Sequence, residues 1–184
     1  MGIEASLLSS LTQPDGSLVH LLGIDGFAGS GKSTFAARLA AEIPDAVVVA
    51  VDDFCGRTGD GWWRWASPGR MRDEVVDPFL RGEPIRYRPF DWVAGELGAP
   101  RVVPTPTLLI VEGVSALHPT LRSRYDVRLW VDCPETLRLA RGLARDGESA
   151  RAQWNRWMAE EERYVRRHHP RACADRVIDG SGDA

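Results

Sequence analysis

The sequence predicts an α/β fold in which a parallel sheet is covered by helices on both faces. Two observations carry this: apolar runs of strand length alternate with segments of helical period, and a glycine-rich stretch lies after the first run and at the opening of a helix. The predicted strands are Leu18–Asp25, Ala46–Asp52, Thr107–Glu112, Val127–Asp132 and Ala174–Asp179. Each closes on a carboxylate. Ligands in open sheets of this kind sit beyond the carboxyl ends of the strands, so Asp25, Asp52, Glu112, Asp132 and Asp179 are all expected near that edge. Position alone does not make all five functional.

Helices are predicted at Lys32–Ala41, Arg70–Arg81, Pro134–Arg145 and Ser149–Arg167, the third opening on Pro134, whose missing N–H is tolerated at the first helical position. Between Phe54 and Pro106 the chain is rich in Gly, Pro, Trp and Arg and the alternation breaks; insertions of that length usually bind ligand or close over it. Residues after Asp179 read as a frayed tail. With 184 residues, 43% of them hydrophobic, the chain has the size of one domain. A net charge of −3 gives no basic field for nucleic acid, so small molecules are the expected partners. Cys55, Cys133 and Cys173 are far apart, without the spacing of a disulfide framework or a zinc site. Glu4 and short apolar stretches at the N-terminus match neither a signal peptide nor a membrane span. The reading is a cytoplasmic protein that engages no membrane, with a homo-oligomer left open.

Gly26-Phe27-Ala28-Gly29-Ser30-Gly31-Lys32-Ser33 fits the pattern GxxxxGK[ST]. Glycines at Gly26, Gly29 and Gly31 let the amides of Ala28, Ser30 and their neighbours through Thr34 turn inward around phosphates, and the helix N-terminus adds positive potential. Lys32 is placed to reach the β and γ phosphates of ATP, and Ser33 to offer an oxygen to Mg²⁺. Composition argues the same way. Of the 23 basic residues 22 are Arg, and the single Lys is Lys32, where a compact ammonium cannot be replaced by a planar guanidinium.

Two strand ends compete for the metal. Glu112, followed by Gly113 where the chain can turn tightly, is preferred to Asp132. Asp52 and Asp53 place adjacent carboxylates at another strand end, facing opposite ways if the extension continues. One of them can orient an acceptor hydroxyl and take its proton; the alternative is a turn-forming pair. Arg138, Arg141 and Arg145 share one face of the third helix, either a clamp on phosphate or a solvated surface. Trp154, Trp157, Met158, Glu161 and Tyr164 recur at helical spacing and read as core packing.

With these residues in place the chain resembles the uridine kinase family of P-loop small-molecule kinases from about Leu18 to Asp179, through the phosphate loop, Asp52-Asp53-Phe54, Val111-Glu112-Gly113 and Arg138 to Asp146. The resemblance implies a three-layer P-loop kinase fold over residues 1–184, its five-stranded parallel sheet in the order 2-3-1-4-5, with an acceptor-binding insertion at about 54–106 and a lid at about 141–150. It implies ATP and Mg²⁺ as cofactors, Asp52 as catalytic base, Glu112 beside the metal, and Arg141 and Arg145 in the lid. Tyr87, Phe90 and Asp91 match a segment that lies near the nucleoside, and Asp53, Phe54 and Arg138 complete the expected acceptor contacts. Gly95 stands where nucleoside-active members carry a histidine, and Ser67 where they carry an acid. The hydroxyl acceptor therefore stays open between a nucleoside, a nucleoside monophosphate and a pantothenate-like or sugar-like alcohol. Trp62, Trp63, Trp65 and Trp92 are candidates for an aromatic pocket or a hydrophobic cover. A GTPase switch is disfavoured, because its Asn-Lys-x-Asp motif needs a second lysine. A protein that binds ATP without turnover is the other reading.

Overall fold

The computed structural model describes residues 20–57, 63–64 and 67–182. Its chain runs from β1 (Leu21–Gly26) through the glycine-rich loop into α1 (Lys32–Ala41) and back along β2 (Ala46–Ala50). Short paired strands follow: β3 (Gly56–Arg57) with β4 (Trp63–Arg64), β5 (Ile85–Tyr87) with β8 (Arg101–Val103), and β6 (Phe90–Asp91) with β7 (Glu96–Leu97). Between β4 and β5 lies one continuous helical stretch, α2, made of Pro68–Met71, a π-helical segment Arg72–Val76 and Asp77–Leu80. The main alternation resumes with β9 (Leu108–Glu112), β10 (Val127–Asp132), α3 (Glu135–Asp146), α4 (Arg151–His168) and β11 (Arg176–Asp179).

The main sheet is all parallel in the order β11-β10-β1-β9-β2, which is 2-3-1-4-5 among the five long strands, as the family resemblance implied. Its strands obey the two-residue period of a pleated sheet. Leu22, Ile24, Leu108, Ile110, Leu129 and Val131 face Ala36 and Leu39 of α1, while Leu21, Leu109 and Val111 face Met71, Val75 and Val76 of α2 together with Leu117, Leu121 and Tyr125. Both faces are thus buried, which is why the strands read as continuous apolar runs.

Three expectations need correction. The strand expected to end at Asp52 stops at Ala50, and Val51–Phe54 form a 3₁₀ turn, so Asp52 and Asp53 do not alternate as on an extended strand. Pro134 is the N-cap of α3, with extended backbone, and the helix proper starts at Glu135. The segment after β11 is held in place: Arg141 donates to the carbonyls of Gly180 at 2.8 Å and Gly182 at 2.6 Å. No helix among the described residues is long and apolar enough to cross a membrane.

Candidate active site

At the carboxyl edge of the sheet a cleft of about 470 Å³ opens between the phosphate loop, the β2 and β9 ends, and α3 and α4. Ala28, Gly29, Lys32, Ser33, Asp52, Glu112 and Arg145 all line it, and Trp92, Gln153, Trp154 and Trp157 form a largely aromatic wall. A smaller cavity of about 200 Å³ continues along the loop, bounded by Gly29, Gly31, Thr34, Arg141 and Gly142. Gly26, Gly29 and Gly31 all have positive φ, the backbone state that turns successive amides to one side.

Ser33 Oγ donates to both oxygens of Glu112, at 3.1 and 3.2 Å, so the loop and the β9 end present an oxygen-rich corner. Gly113 makes this approach possible. Its φ is +139°, and a Cβ there would lie 2.6 Å from the Val51 side chain. Burial raises the Glu112 carboxyl above its ordinary range; Lys32 opposes that rise and Asp52 adds to it. Asp132, the rival metal candidate, pairs with Arg171 at 3.2 Å instead. Asp52 meets solvent through the cleft mouth and is enclosed by protein elsewhere. That enclosure raises its pKa, against the pull of Lys32 and Arg145 and with the push of Asp53.

Asp25 is fully buried and does not face the cleft. It accepts from the amides of Gly26, Ser115 and Leu117 and, at 2.6 Å, from the hydroxyl of Tyr164. It therefore fixes the start of the phosphate loop to the chain after β9 and to α4. Glu161, one turn earlier on α4, is 1% exposed and accepts from the amide of Ala28 at 3.2 and 3.3 Å. Burial pushes its pKa up to about 7, although Lys32, the Ala28 amide and Arg138 pull it down. Glu161 and Tyr164, together with Trp157 at the cleft, are what the helical-spacing argument took as packing. Their spacing on α4 was the available signal, but nothing local tells that the facing partner is the phosphate loop.

The three arginines of α3 do not act as one face. Arg138 is buried, donates through Nε to Cys133 O at 3.1 Å and lies 4.1 Å over the Phe27 ring. Arg141 ties Gly29 O to the carbonyls of Gly180–Gly182. Arg145 pairs with Asp146 and reaches the cleft. Each lies one turn further along the helix and so meets a different layer of the fold.

The expected acceptor residues disperse in a similar way. Asp53 turns from the cleft to accept from Tyr87 at 3.0 Å and Arg101 at 3.2 Å, which joins the β2 turn to β5 and β8. Phe54 is buried and stacks on Tyr87, while Phe90 is buried at the start of its hairpin. Asp91 caps that hairpin by accepting from the amides of Val93 and Ala94. Asp53, Phe54, Tyr87, Phe90, Asp91 and Arg138 are thus engaged in structure rather than aimed into the cleft. Of the tryptophans named with them, Trp92 lines the cleft, and Trp62 and Trp65 lie outside the described residues.

A parallel sheet in this order, with a GxxxxGK[ST] loop at its carboxyl edge, defines a P-loop kinase-like fold. No protein-family model matches the chain. Among curated proteins it is similar to the uridine kinases of Borrelia garinii subsp. bavariensis and Borreliella burgdorferi, each 27% identical over 141 residues, covering 70% of this chain and 68% of the relative. A solved structure of a uridine kinase candidate from Bacillus stearothermophilus superposes with a TM-score of 0.75 at 19% identity, covering 96% of this chain and 97% of that one. A fructose transport system kinase candidate from Silicibacter sp. TM1040 follows with a TM-score of 0.62 at 23% identity, covering 91% and 95%. The chain is thus distantly similar to curated uridine kinases and shares the fold of these solved kinase candidates.

Proposed function

We propose that this protein transfers the γ-phosphoryl group of ATP to a hydroxyl of a small molecule, a nucleoside being the first class to test because its curated relatives are named uridine kinases. One observation carries the proposal: Lys32, Ser33, Glu112, Asp52 and Arg145 line a single cleft. Phosphoryl transfer asks the protein mainly for positioning and charge stabilisation, and these five supply both.

The loop amides other than those of Ala28 and Ser30, which are bonded to Glu161 and to Phe27 O, hold the triphosphate together with Lys32. Lys32 Nζ now donates to Phe27 O at 2.9 Å, so the ammonium already sits over the loop. Ser33 and Glu112 fit Mg²⁺, which takes one or two protein oxygens and completes its shell with phosphate and water. The ion would neutralise charge between the phosphates. Asp52 accepts the proton of the acceptor hydroxyl, and its raised pKa makes it a stronger base than an open carboxylate. Arg145, on the loop-proximal end of α3, closes over the transferring group and excludes water. The acceptor rests against Trp92, Trp154 and Trp157, with Gln153 as a hydrogen-bonding reader, which favours a compound with a flat or apolar part beside its hydroxyl.

The test is an ADP-release screen over nucleosides, nucleoside monophosphates, sugars and vitamin-like alcohols. ADP should form in proportion to one acceptor class, Lys32→Ala should abolish turnover, and Asp52→Asn should bind ATP while losing on the order of a hundredfold in rate with acceptor. Full activity in Asp52→Asn would overturn the role of the base. ATP binding with no acceptor-dependent ADP from any class would favour a nucleotide-binding protein without turnover.

A further inference from the structure

The peptide unit between Phe27 and Ala28 stands at the crest of the phosphate loop and is gripped from both ends by opposite charges. Its carbonyl oxygen accepts from Lys32 Nζ at 2.9 Å, and its amide donates to both oxygens of Glu161 at 3.2 and 3.3 Å. A peptide unit carries its carbonyl and amide on opposite edges, so whatever fixes one fixes the other. When the ammonium leaves Phe27 O for a phosphate, as the proposed kinase function requires, that carbonyl keeps the longer bond from the Ser30 amide at 3.2 Å, and Glu161 is the charged group that still holds the plane, by its amide. Were the plane to flip, an electronegative carbonyl would swap places with a donor in the loop.

We propose that Glu161 is a positioning residue that locks the Phe27–Ala28 peptide in the orientation the phosphate loop needs to receive nucleotide. The surrounding residues are built for this. Glu161 lies in the protein interior, and a buried carboxylate survives only with compensation. Arg138 Nη1 lies 3.7 Å from it and has no hydrogen-bond partner of its own. The same guanidinium covers the Phe27 ring, which packs edge-on against Trp130 at 5.4 Å. Arg138 and Glu161 therefore clamp the two residues that share the peptide, one by its ring and the other by its amide. One turn along α4, Tyr164 holds Asp25, which in turn holds the amide of Gly26. The helix that follows the lid is in this way bolted to the first three residues of the loop.

This inference rests on nucleotide binding by the loop, so wild-type affinity for Mg-ADP is measured first and separates the two ideas. If wild type binds, Glu161→Ala and Glu161→Gln are titrated with Mg-ADP without acceptor, and their KM values for the acceptor are compared. Glu161→Ala should weaken Mg-ADP by about tenfold or more, the weight of a charge-assisted hydrogen bond, with acceptor KM within about twofold of wild type. Glu161→Gln keeps an oxygen for Ala28 and should recover most of the affinity. Wild-type affinity in Glu161→Ala, or an equal loss for nucleotide and acceptor in both variants, overturns the proposal. Should Glu161→Ala fail to fold, the Ala28 amide resonance in the nucleotide-free protein decides. It should shift between pH 5 and 8 in wild type and stay constant in Glu161→Gln. The groups facing Glu161 are Lys32, Arg138 and Asp25, and none of them is altered in that variant. An identical titration of the resonance in both proteins overturns the proposal.

Discussion

Replacing Glu161 with Gln should change how stability depends on pH, in a direction that the burial of this side chain fixes. The carboxyl has a pKa of about 7 in the folded protein against an ordinary glutamate value of 4.5. Between those values the unfolded chain has released its proton while the folded one retains it, so folding stability falls as pH rises through this window. Below pH 4.5 both states are protonated and above pH 7 both are ionised, and this contribution is then constant. At about 1.4 kcal/mol per pH unit, the span corresponds to about 3.5 kcal/mol, and the side chain is too deeply buried for solvent to screen it. Glu161→Gln removes this titration and leaves every other group in place. The difference in unfolding free energy between variant and wild type, from urea titrations at pH 5, 6, 7 and 8, should therefore move in favour of the variant by about 2.5 kcal/mol across the series. A pH-independent difference would refute the reasoning, because it would mean that Glu161 is ionised at an ordinary pKa within the fold.

The tail after β11 offers two further tests. A Cβ on Gly180 would lie 2.0 Å from the backbone oxygen of Ser30, so Gly180→Ala should cost about 1–3 kcal/mol and weaken Mg-ADP binding, measured by thermal melting and calorimetry. Arg141→Ala removes the donor that ties this tail to the loop; it should lower stability by about 1–3 kcal/mol and expose the segment at residues 180–182 to limited proteolysis. Within the lid helix, Gly142→Ala would bring a Cβ to 2.3 Å from the buried Trp154 ring, and a loss of about 1–3 kcal/mol is expected despite the better helix propensity of Ala, read by chemical denaturation.

The parts of the fold fixed by periodicity and by a spaced motif were legible from residues alone. Helix α1 occupies Lys32–Ala41 as predicted, because the GxxxxGK[ST] loop marks its start and the apolar positions Ala36 and Leu39 mark its buried face. Four of the five sheet strands fall inside their predicted runs and β1 ends one residue beyond its own, at Gly26, since burial on both faces leaves an uninterrupted apolar signature. Two-residue strands such as β6 and β7 have no period to read, so the insertion was recognisable only by composition. The turn at Asp52 was legible only as the alternative to a continuing strand, because Val47, Val48, Val49 and Val51 are strong strand formers. The cleft was partly visible: Lys32, Ser33, Asp52 and Glu112 stand out by motif and strand end. Glu161 did not, and Asp25 stood out as a strand end but not for its structural role, since a buried carboxylate is explained only by partners distant in sequence, here Ala28 for the first and Ser115, Leu117 and Tyr164 for the second. The arginines of α3 show the same limit. A helical wheel gives direction around the axis but not which layer each turn will meet.

Calorimetric titration of the purified chain with ADP, with and without Mg²⁺, bears most directly on the proposed phosphate cradle. Saturable binding that strengthens with Mg²⁺ in wild type, loses that metal dependence in Glu112→Gln and disappears in Lys32→Ala is the predicted result. No binding of any magnesium nucleotide by the folded wild-type protein, or undiminished binding by Lys32→Ala, would contradict it.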